Sequence, residues 1–411
     1  MTDVSALKIL LRNREIGTLA QLPGDRMMFV FDEAYIADET RPTLSLSFKD
    51  GLGELITDIR PTQKRLPPFF SNLLPEGALR GYIANRSKIN EEREYFLLKE
   101  LGEDLPGAVR AVPADVELDP KNNAAQRDTP AIGAEASEDA RLRFSLAGVQ
   151  LKFSAVIAAS GGMTIPARGV GGDWILKLPS ATYSGVPENE FSMMELARRI
   201  GINVPETRLI PISEIGHLPD GVDRIAANAF AVRRFDRPEG GEKLHIEDFA
   251  QVFQVYPDAK YQKASYRNIA EVLWAETGEN GIVEFVKRLT FSWLTGNADM
   301  HLKNWSLIYP DQVHAELAPA YDLVSTIPYI PDDGMALSLA GGDKKFADWD
   351  EDAFKRFAAK ARLPEKLVLD ARSQTIQRFH DVWAEEAKNL PMSSSVVNIL
   401  EAHIAALADK R

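Results

Sequence analysis

The 411-residue chain has no cysteine, only six histidines and no long apolar run. Without cysteine it can form no disulfide, no cysteine-ligated zinc site and no thiol nucleophile, and so few histidines disfavour a multi-histidine metal site. A membrane-spanning helix needs about 20 consecutive apolar residues, and the short apolar patch near the N-terminus is interrupted by Lys8. The sequence therefore predicts neither a membrane span nor a secretory signal, and we expect a cytoplasmic location.

Positive charge is also scarce in this sequence. The 48 lysines and arginines are outnumbered by 60 aspartates and glutamates, which gives a formal net charge of −12. This balance disfavours nucleic acid or an anionic membrane as a partner of the whole surface, and it favours a basic partner. The fractions of hydrophobic residues (45%) and charged residues (26%) are those of a globular protein. The length is sufficient for two or three folded units.

Residues 1–112 predict a small α+β unit. Strand-like stretches at 7–11 and 27–31 lie on either side of a turn at 23–25. Helical patterns occupy most of 65–101, and a glycine follows them as a C-terminal cap. Together these patterns indicate an N-terminal subdomain of ordinary size.

The rest of the chain divides into three parts. Residues 113–140 contain no aromatic residue and seven acidic residues against two basic ones, which indicates a flexible acidic segment. Residues 141–240 are rich in strand patterns and include a predicted helix at 187–200, whereas residues 241–411 are largely helical except at 305–324. A strand-rich half followed by a helix-rich half predicts a two-lobed α+β protein.

The most specific motif is Gly-Asn-Ala-Asp-Met-His-Leu-Lys-Asn at residues 296–304. Phosphoryl transfer needs a carboxylate that orients the attacking hydroxyl and oxygen ligands that hold Mg²⁺ against the phosphates. In protein kinases the catalytic-loop Asp precedes the metal-binding Asn by five positions, which is the spacing of Asp299 and Asn304. A predicted hairpin would return Asp322 to the side of Asn304, where its carboxylate suits Mg²⁺.

Two further elements of a kinase precede this motif in the chain. Lys177 lies within the strand-like stretch Trp-Ile-Leu-Lys-Leu-Pro, where a half-buried ammonium is costly unless it meets an anion such as an ATP phosphate. About thirty residues earlier, Ala147 and Gly148 would let backbone N–H groups approach phosphates. The glycine-containing loop, Lys177, Asp299, Asn304 and Asp322 follow one another in the order found in protein kinases. The sequence therefore predicts a kinase that uses ATP and Mg²⁺.

Each of these residues also has a simpler structural interpretation. An Asp- and Asn-rich turn can cap helices, a strand lysine can extend its ammonium to solvent, and a lone histidine usually has a structural role. Glu190 and Glu195 could pair with Lys177 from the following helix, although solvation at the surface is the simpler expectation. The Arg-rich run at 233–237 is either a solvated, self-paired strand end or a hinge between the lobes.

The combined motifs resemble the HipA family of bacterial toxin kinases, and the resemblance covers nearly the whole chain apart from 113–140. The matching pieces are "SLAGVQLKFSA", "WILKLPS", "ENEFSMMELARRIGI", "VRRFDR", "GNADMHLKN" and "PAYDLVST", together with "RPTLSLSF" and "FFSNLLPEG" in the N-terminal unit. This resemblance implies a two-lobed protein-kinase-like α+β fold with a small N-terminal α+β subdomain and a helical C-terminal lobe.

The resemblance also implies roles for individual residues. Asp299 would be the catalytic base, Asn304 and Asp322 would hold Mg²⁺, and Ser145 would be the autophosphorylation site. The residues implied to bind ATP are Ala147, Gly148, Val149, Gln150, Leu151, Lys152, Lys177, Arg233, Arg234, Phe235, His301, Lys303, Asn304 and Tyr321. Met300, Leu302 and Leu151 depart from the residues often seen in the family, and these departures leave the ligands intact.

The family phosphorylates aminoacyl-tRNA synthetases, notably the glutamyl enzyme, and thereby halts translation and induces dormancy. A helix-turn-helix antitoxin neutralises the kinase and represses the operon. We therefore expect a HipB-like antitoxin, operator DNA reached through it and a synthetase substrate as partners. Two alternatives stay open: the Asp-x-His-x-x-Asn pattern also resembles phosphoinositide kinases, so the substrate could be a lipid or small molecule, or the chain could be a nucleotide-binding regulator without catalysis.

Overall fold

The computed structural model describes residues 5–114, 152–157, 163–165, 171–180, 182–218, 226–331, 333–342 and 344–410. Ser145 and the predicted phosphate-loop residues Ala147, Gly148, Val149, Gln150 and Leu151 lie outside these ranges, as does nearly all of the acidic segment. No helix among the described residues is both long enough and apolar enough to cross a membrane.

The N-terminal unit is an antiparallel sheet covered by short helices. In the described part of the chain its strand order is β4-β3-β2-β1-β5. Alternate residues of β1, such as Leu7 and Ile9, are fully buried against aromatic side chains of the unit, including Phe29 and Phe70. The elements are β1 (Ser5–Leu11), β2 (Arg14–Leu22), β3 (Arg26–Phe31), α1 (Glu33–Ala37), β4 (Thr62–Gln63), α2 (Pro68–Asn72), α3 (Gly77–Arg86), α4 (Glu94–Leu101) and β5 (Val109–Pro113).

The middle of the chain forms a second sheet with one long helix packed on it. The described strands have the order β10-β7-β6-β8-β11-β9. In this register Lys177 pairs with both Lys152 and Phe230 on its two sides. The elements are β6 (Lys152–Ile157), β7 (Met163–Thr164), β8 (Trp174–Lys177), α5 (Val186–Arg199), β9 (Thr207–Pro211), β10 (Ile215–Gly216) and β11 (Asn228–Arg233).

The C-terminal part is mainly helical around the largest hydrophobic cluster of the described residues. Gly278, with φ of 62° and ψ of −149°, interrupts the long helix α7. A small antiparallel sheet of order β12-β13-β14 includes the hairpin predicted at 305–324. The elements are β12 (His245–Asp248), α6 (Phe249–Val252), α7 (Tyr266–Leu294), β13 (Ser306–Tyr309), β14 (Glu316–Leu317), α8 (Glu351–Ala361), α9 (Glu365–Glu386) and α10 (Ser394–Ala406).

These elements confirm the predicted strands at 7–11 and 27–31, the helical segments between 65 and 101 and the hairpin. The predicted turn contains Gly24 and Asp25 with positive φ, a conformation that glycine adopts without strain. The predicted helix at 187–200 is α5, and its proline lies in the first turn as expected. Strand and helix boundaries were predictable here because turn and cap residues mark them.

Candidate active site

The loop after α7 is tied by hydrogen bonds to the segment that follows Asp322. Gly296 has a φ of +62°, and a Cβ at this position would lie 2.4 Å from Cδ1 of Ile327. The backbone N–H of Thr326 donates to the Gly296 carbonyl at 3.1 Å, and the Thr326 hydroxyl accepts from the N–H of Ala298 at 2.8 Å. The positive φ and the close packing both require glycine, so this residue fixes where the loop begins.

Asp299 and Asn304 are joined within this loop. The Asn304 amide nitrogen donates to the Asp299 carbonyl at 2.7 Å, and the N–H of His301 donates to the same oxygen at 2.8 Å. The Asp299 N–H donates to Oδ1 of Asn297 at 3.1 Å. These bonds use the main chain of Asp299 and the amide nitrogen of Asn304, which leaves the Asp299 carboxylate and the Asn304 amide oxygen for other partners.

Lys177 is the centre of a buried charge cluster. It is 3% exposed at the end of β8, and its ammonium contacts the carboxylates of Glu190 and Asp322. Burial works against the charge of Lys177, but the two carboxylates outweigh it and raise the pKa of this amine. Lys152 Nζ lies 3.0 Å from Oδ2 of Asp322, so two lysines and two carboxylates share one site.

Asp322 is the second acid of this cluster, and its pKa is lowered. Burial raises the pKa of its carboxyl, but Lys152 and Lys177 more than offset this and hold that pKa far below its usual range. Its φ of 54° is unusual for a residue other than glycine, and such strained residues concentrate at functional sites. The hydroxyl of the preceding Tyr321 donates to the carbonyl of Lys303 at 2.8 Å. The segments that carry Asp322 and Asn304 therefore lie side by side, as the hairpin predicted.

His301 is a neutral, mostly buried residue in the same loop. Burial lowers the pKa of its imidazole to about 4, against the opposing effect of Asp299. The ring is edge-on to Tyr261, with centroids 4.9 Å apart. Its Nδ1 atom is buried and has no hydrogen-bond partner among the described residues. An unsatisfied ring nitrogen at this position is a potential contact for a ligand.

Lys303 and the 233–235 run have protein partners in this structure. The Lys303 ammonium lies 2.8 Å from Glu76 of the N-terminal unit. Arg233 pairs with an exposed glutamate at 3.1 Å, and the ring of Phe235 lies 5.8 Å from that of Tyr321. Phe235 and Tyr321 therefore lie close together, whereas Lys303 is bound to the N-terminal unit.

Arg234 belongs to a buried ionic network and is not a solvated strand end. It is 9% exposed and bonds Asp236 through Nε at 3.0 Å and through Nη2 at 2.9 Å. Asp104 of the N-terminal unit accepts from Arg237 at 3.0 Å and from Lys243 at 3.2 Å, and lies 3.6 Å from Arg234. Sequence reasoning could not foresee this network because Asp104 is distant in the chain.

Glu190 was expected at the surface, and that expectation is wrong. The residue is 2% exposed and pairs with Lys177, whereas Glu195 bonds Arg198 at 2.8 Å. Glu190 precedes Met193 and Met194, both fully buried, by three and four residues. This spacing could have indicated that Glu190 lies on the buried face of α5. A buried glutamate on this face needs a cation, and Lys177 provides it.

Tyr261 and Glu76 are two further residues that the sequence did not single out. The Tyr261 hydroxyl donates to Oδ1 of Asp299 at 2.5 Å. Glu76 accepts from Lys260 at 2.9 Å as well as from Lys303. No local sequence signal predicts either contact, because both join segments that only the tertiary fold brings together.

Comparison with known proteins agrees with this architecture. The HipA N-terminal domain model matches residues 7–112 and the HipA-like C-terminal domain model matches residues 144–383. A protein of Sinorhizobium fredii provisionally named kinase Y4dM is 52% identical over 98% of this chain and 97% of its own length. The serine/threonine-protein kinase toxin HipA of Shewanella oneidensis is 26% identical over 85% of this chain and 81% of its own length.

A solved structure of HipA with HipB and operator DNA from Shewanella oneidensis MR-1 superimposes with a TM-score of 0.73 at 22% identity. It covers 98% of this chain and 96% of that one. This match shows the HipA-like kinase fold predicted from the motifs. Two family domains in order, a close relative along the full length and the shared fold agree: the chain belongs to the HipA family.

Proposed function

We propose that this protein is a serine/threonine protein kinase that transfers the γ-phosphate of ATP to a protein. The observation that carries the proposal is the contact of Lys177 with both Glu190 and Asp322, beside the loop of Asp299 and Asn304. Active protein kinases require a strand lysine paired with a helix glutamate and an aspartate that binds Mg²⁺. A merely structural turn would not need this buried set of charges.

The side chains present fit Mg²⁺ and ATP phosphates. Asn304 uses its amide nitrogen within the loop and so keeps its oxygen for a cation, and Asp322 offers a carboxylate. Mg²⁺ is usually held by one or two protein ligands together with phosphates and water. Lys152 and Lys177 carry the positive charge that phosphate oxygens need. When bound, Mg-ATP supplies the phosphoryl group and part of the charge neutralisation.

Asp299 would bind and orient the attacking hydroxyl. Oδ1 of Asp299 accepts from Tyr261, so Oδ2 is the atom that would accept the substrate hydroxyl and take its proton. The attacking oxygen forms the new bond to phosphorus, the bond to the leaving oxygen of ADP breaks, and the proton resides on Asp299 until solvent removes it. The chain's contribution is therefore positioning and electrostatics.

The biological role proposed here is that of a toxin. By likeness to the HipA of Shewanella oneidensis, which is named a toxin kinase and whose solved complex contains HipB and operator DNA, we propose a HipB-like helix-turn-helix antitoxin as partner. A small basic dimer of this kind would bind the operator DNA, because the net negative charge of this chain disfavours its own direct contact with DNA. The proposed substrate is an aminoacyl-tRNA synthetase of the glutamyl type.

The class of substrate is tested by incubating the purified protein with labelled ATP and either a cell lysate or lipid vesicles. The proposal expects label on serine or threonine of one or a few proteins and none on lipid. Label on lipid would support the lipid-kinase alternative. Nucleotide binding without any transfer would support the non-catalytic regulator.

The toxin role is tested in growing cells. Overproduction should stop growth and lower the charged fraction of the tRNA for glutamate, and co-production of the antitoxin should restore growth. Growth arrest with every tRNA fully charged would overturn the synthetase proposal and leave the kinase proposal standing.

Mass spectrometry after incubation with Mg-ATP should find phosphate on Ser145, where about −1.5 to −2 added charge would repel the nucleotide.

A further inference from the structure

Glu76 is a carboxylate of the N-terminal unit that binds two lysines of the C-terminal part. It immediately precedes α3, and its two oxygens lie 2.8 Å from the Lys303 ammonium and 2.9 Å from the Lys260 ammonium. Lys303 also donates to the carbonyl of Asn72 at 3.1 Å. The backbone N–H of Leu302 donates to the Lys260 carbonyl at 3.4 Å. One glutamate thus ties two separate segments of the C-terminal part to each other and to α3.

The carboxylate of Glu76 and the ammonium groups of Lys260 and Lys303 compensate each other's charge at this partly buried junction. The side chains of Lys303 and Lys260 are only 12% and 20% exposed. Burial opposes ionisation of Glu76, but the two lysines outweigh it and lower the pKa of its carboxyl to about 2. Removing the negative charge would leave two partly buried ammonium groups facing each other without compensation. The lysine segments would then be expected to move apart.

Both lysines are directly connected to the proposed catalytic base. Lys303 lies in the same loop as Asp299 and is followed at once by Asn304. Lys260 is followed by Tyr261, whose hydroxyl donates to Oδ1 of Asp299 at 2.5 Å. Tyr261 is 38% exposed, so a hydrophobic core does not hold its ring. The neighbouring salt bridge and the edge-on contact with His301 hold it instead.

The hydrogen bond from Tyr261 sets the orientation of the Asp299 carboxylate. Burial and the Asp299 charge raise the pKa of the Tyr261 phenol well above its usual value, so the phenol stays a neutral donor at physiological pH. A donor fixed on Oδ1 holds the carboxylate plane and presents Oδ2. An unfixed carboxylate would rotate between orientations, and misplacement by about 1 Å can cost about a hundredfold in rate.

We propose that Glu76 and Tyr261 are positioning residues of the kinase site: Glu76 anchors Lys260 and Lys303, and Tyr261 orients Asp299. The N-terminal unit therefore completes the active site and does more than pack against it. This inference rests on the proposed kinase function and extends it to Glu76 of the N-terminal unit and to Tyr261, which lies outside the phosphate-transfer motifs.

The test compares Glu76→Gln, Tyr261→Phe, the double variant and Asp258→Asn in the full-length protein. Asp258 is a matched control, because it lies three residues from Tyr261 and pairs with Arg65 of the N-terminal unit at 3.0 Å, and none of its hydrogen bonds or ion pairs among the described residues involves 296–304. For each variant, kcat and the KM for ATP are measured, together with Mg-ADP affinity and thermal unfolding. Glutamine and phenylalanine preserve shape, which limits loss of folding.

Each single variant should lower kcat by about 10- to 100-fold, and in Tyr261→Phe the KM for ATP and the Mg-ADP affinity should stay within about twofold. Because the two residues act on one carboxylate, the double variant should be about as slow as the slower single variant. The control should retain the wild-type kcat. A kcat for Glu76→Gln equal to that of the control would overturn the proposal, as would multiplicative losses or a faster Tyr261→Phe enzyme.

Failure of this inference is distinguishable from failure of the kinase proposal. An active wild type with indifferent Glu76 and Tyr261 variants would refute the positioning role alone. A wild type that transfers no phosphate to any protein would refute the kinase proposal, and with it this inference. Loss of folding in Glu76→Gln, seen in thermal unfolding, would leave the Tyr261→Phe comparison to decide.

Discussion

Glu247 joins the N-terminal unit to the C-terminal part and should make the stability of the protein depend on pH. The residue is 1% exposed. Its carboxyl is hydrogen-bonded to the hydroxyls of Ser45 and Tyr309, and it accepts from the N–H of Leu46 at 3.0 Å. These donors favour the charged form, but burial is the larger effect and raises the pKa of Glu247 to about 7.

The sign of the pH effect follows from the direction of this shift. Because the pKa of Glu247 is higher in the folded than in the unfolded protein, where it is near 4.5, the folded state binds the proton more tightly. The resulting stability is full below pH ~4.5 and is lost as the pH rises through ~7. At about 1.4 kcal/mol per pKa unit, the free energy of unfolding should fall by about 2.5 kcal/mol between pH ~5 and pH ~8.

The measurement is urea unfolding of the wild type and of Glu247→Gln at several values between pH ~5 and pH ~8. Glutamine has nearly the same shape and stays neutral, so the contribution of this position becomes independent of pH. Groups that titrate alike in both proteins cancel in the difference. That difference should change by about 2.5 kcal/mol in favour of the variant as the pH rises. A constant difference would mean that the three donors keep Glu247 ionised, and it would refute the reasoning.

Two further predictions concern the loop and the ionic network. Gly296→Ala should lower the free energy of unfolding by more than about 1–3 kcal/mol and lower phosphate transfer. The new methyl group would clash with Ile327, and alanine would also have to adopt the strained positive φ of this position. Gly24→Ala, which has a similar φ but open space around it, should cost only about 1 kcal/mol and leave activity intact; equal losses in the two variants would contradict the packing argument. Asp104→Asn should cost about 3–5 kcal/mol because it removes the buried carboxylate that pairs with both Arg237 and Lys243, and a loss below about 1 kcal/mol by urea unfolding would contradict it.

Much of the architecture could be predicted because its signals are local. Turn glycines, cap residues and the alternation of apolar side chains indicated the N-terminal strands, helix α5 and the hairpin after Asn304. The order of motifs indicated the HipA family, which the two domain matches show. The roles of Asp299, Asn304 and Asp322 stay predictions, although the structure brings the last two residues onto neighbouring segments.

What could not be predicted depends on contacts between distant segments. Glu190 was misjudged because its spacing from the buried methionines of α5 was outweighed by the expectation that glutamate is solvated. The contacts of Glu76 with Lys303 and of Asp104 with Arg237 join residues more than a hundred positions apart. No periodicity or spacing reports on such pairs, because they depend on how the N-terminal unit packs against the rest of the chain.

The most direct test of the kinase proposal is labelled phosphate transfer by Asp299→Asn and Asp322→Asn beside the wild type and the Asp258→Asn control. Asp322→Asn leaves Lys177 paired with Glu190, and thermal unfolding checks that both variants fold. The account predicts protein labelling by the wild type and the control, and a loss of about a thousandfold or more in each active-site variant. Undiminished phosphate transfer by either Asp299→Asn or Asp322→Asn would contradict it.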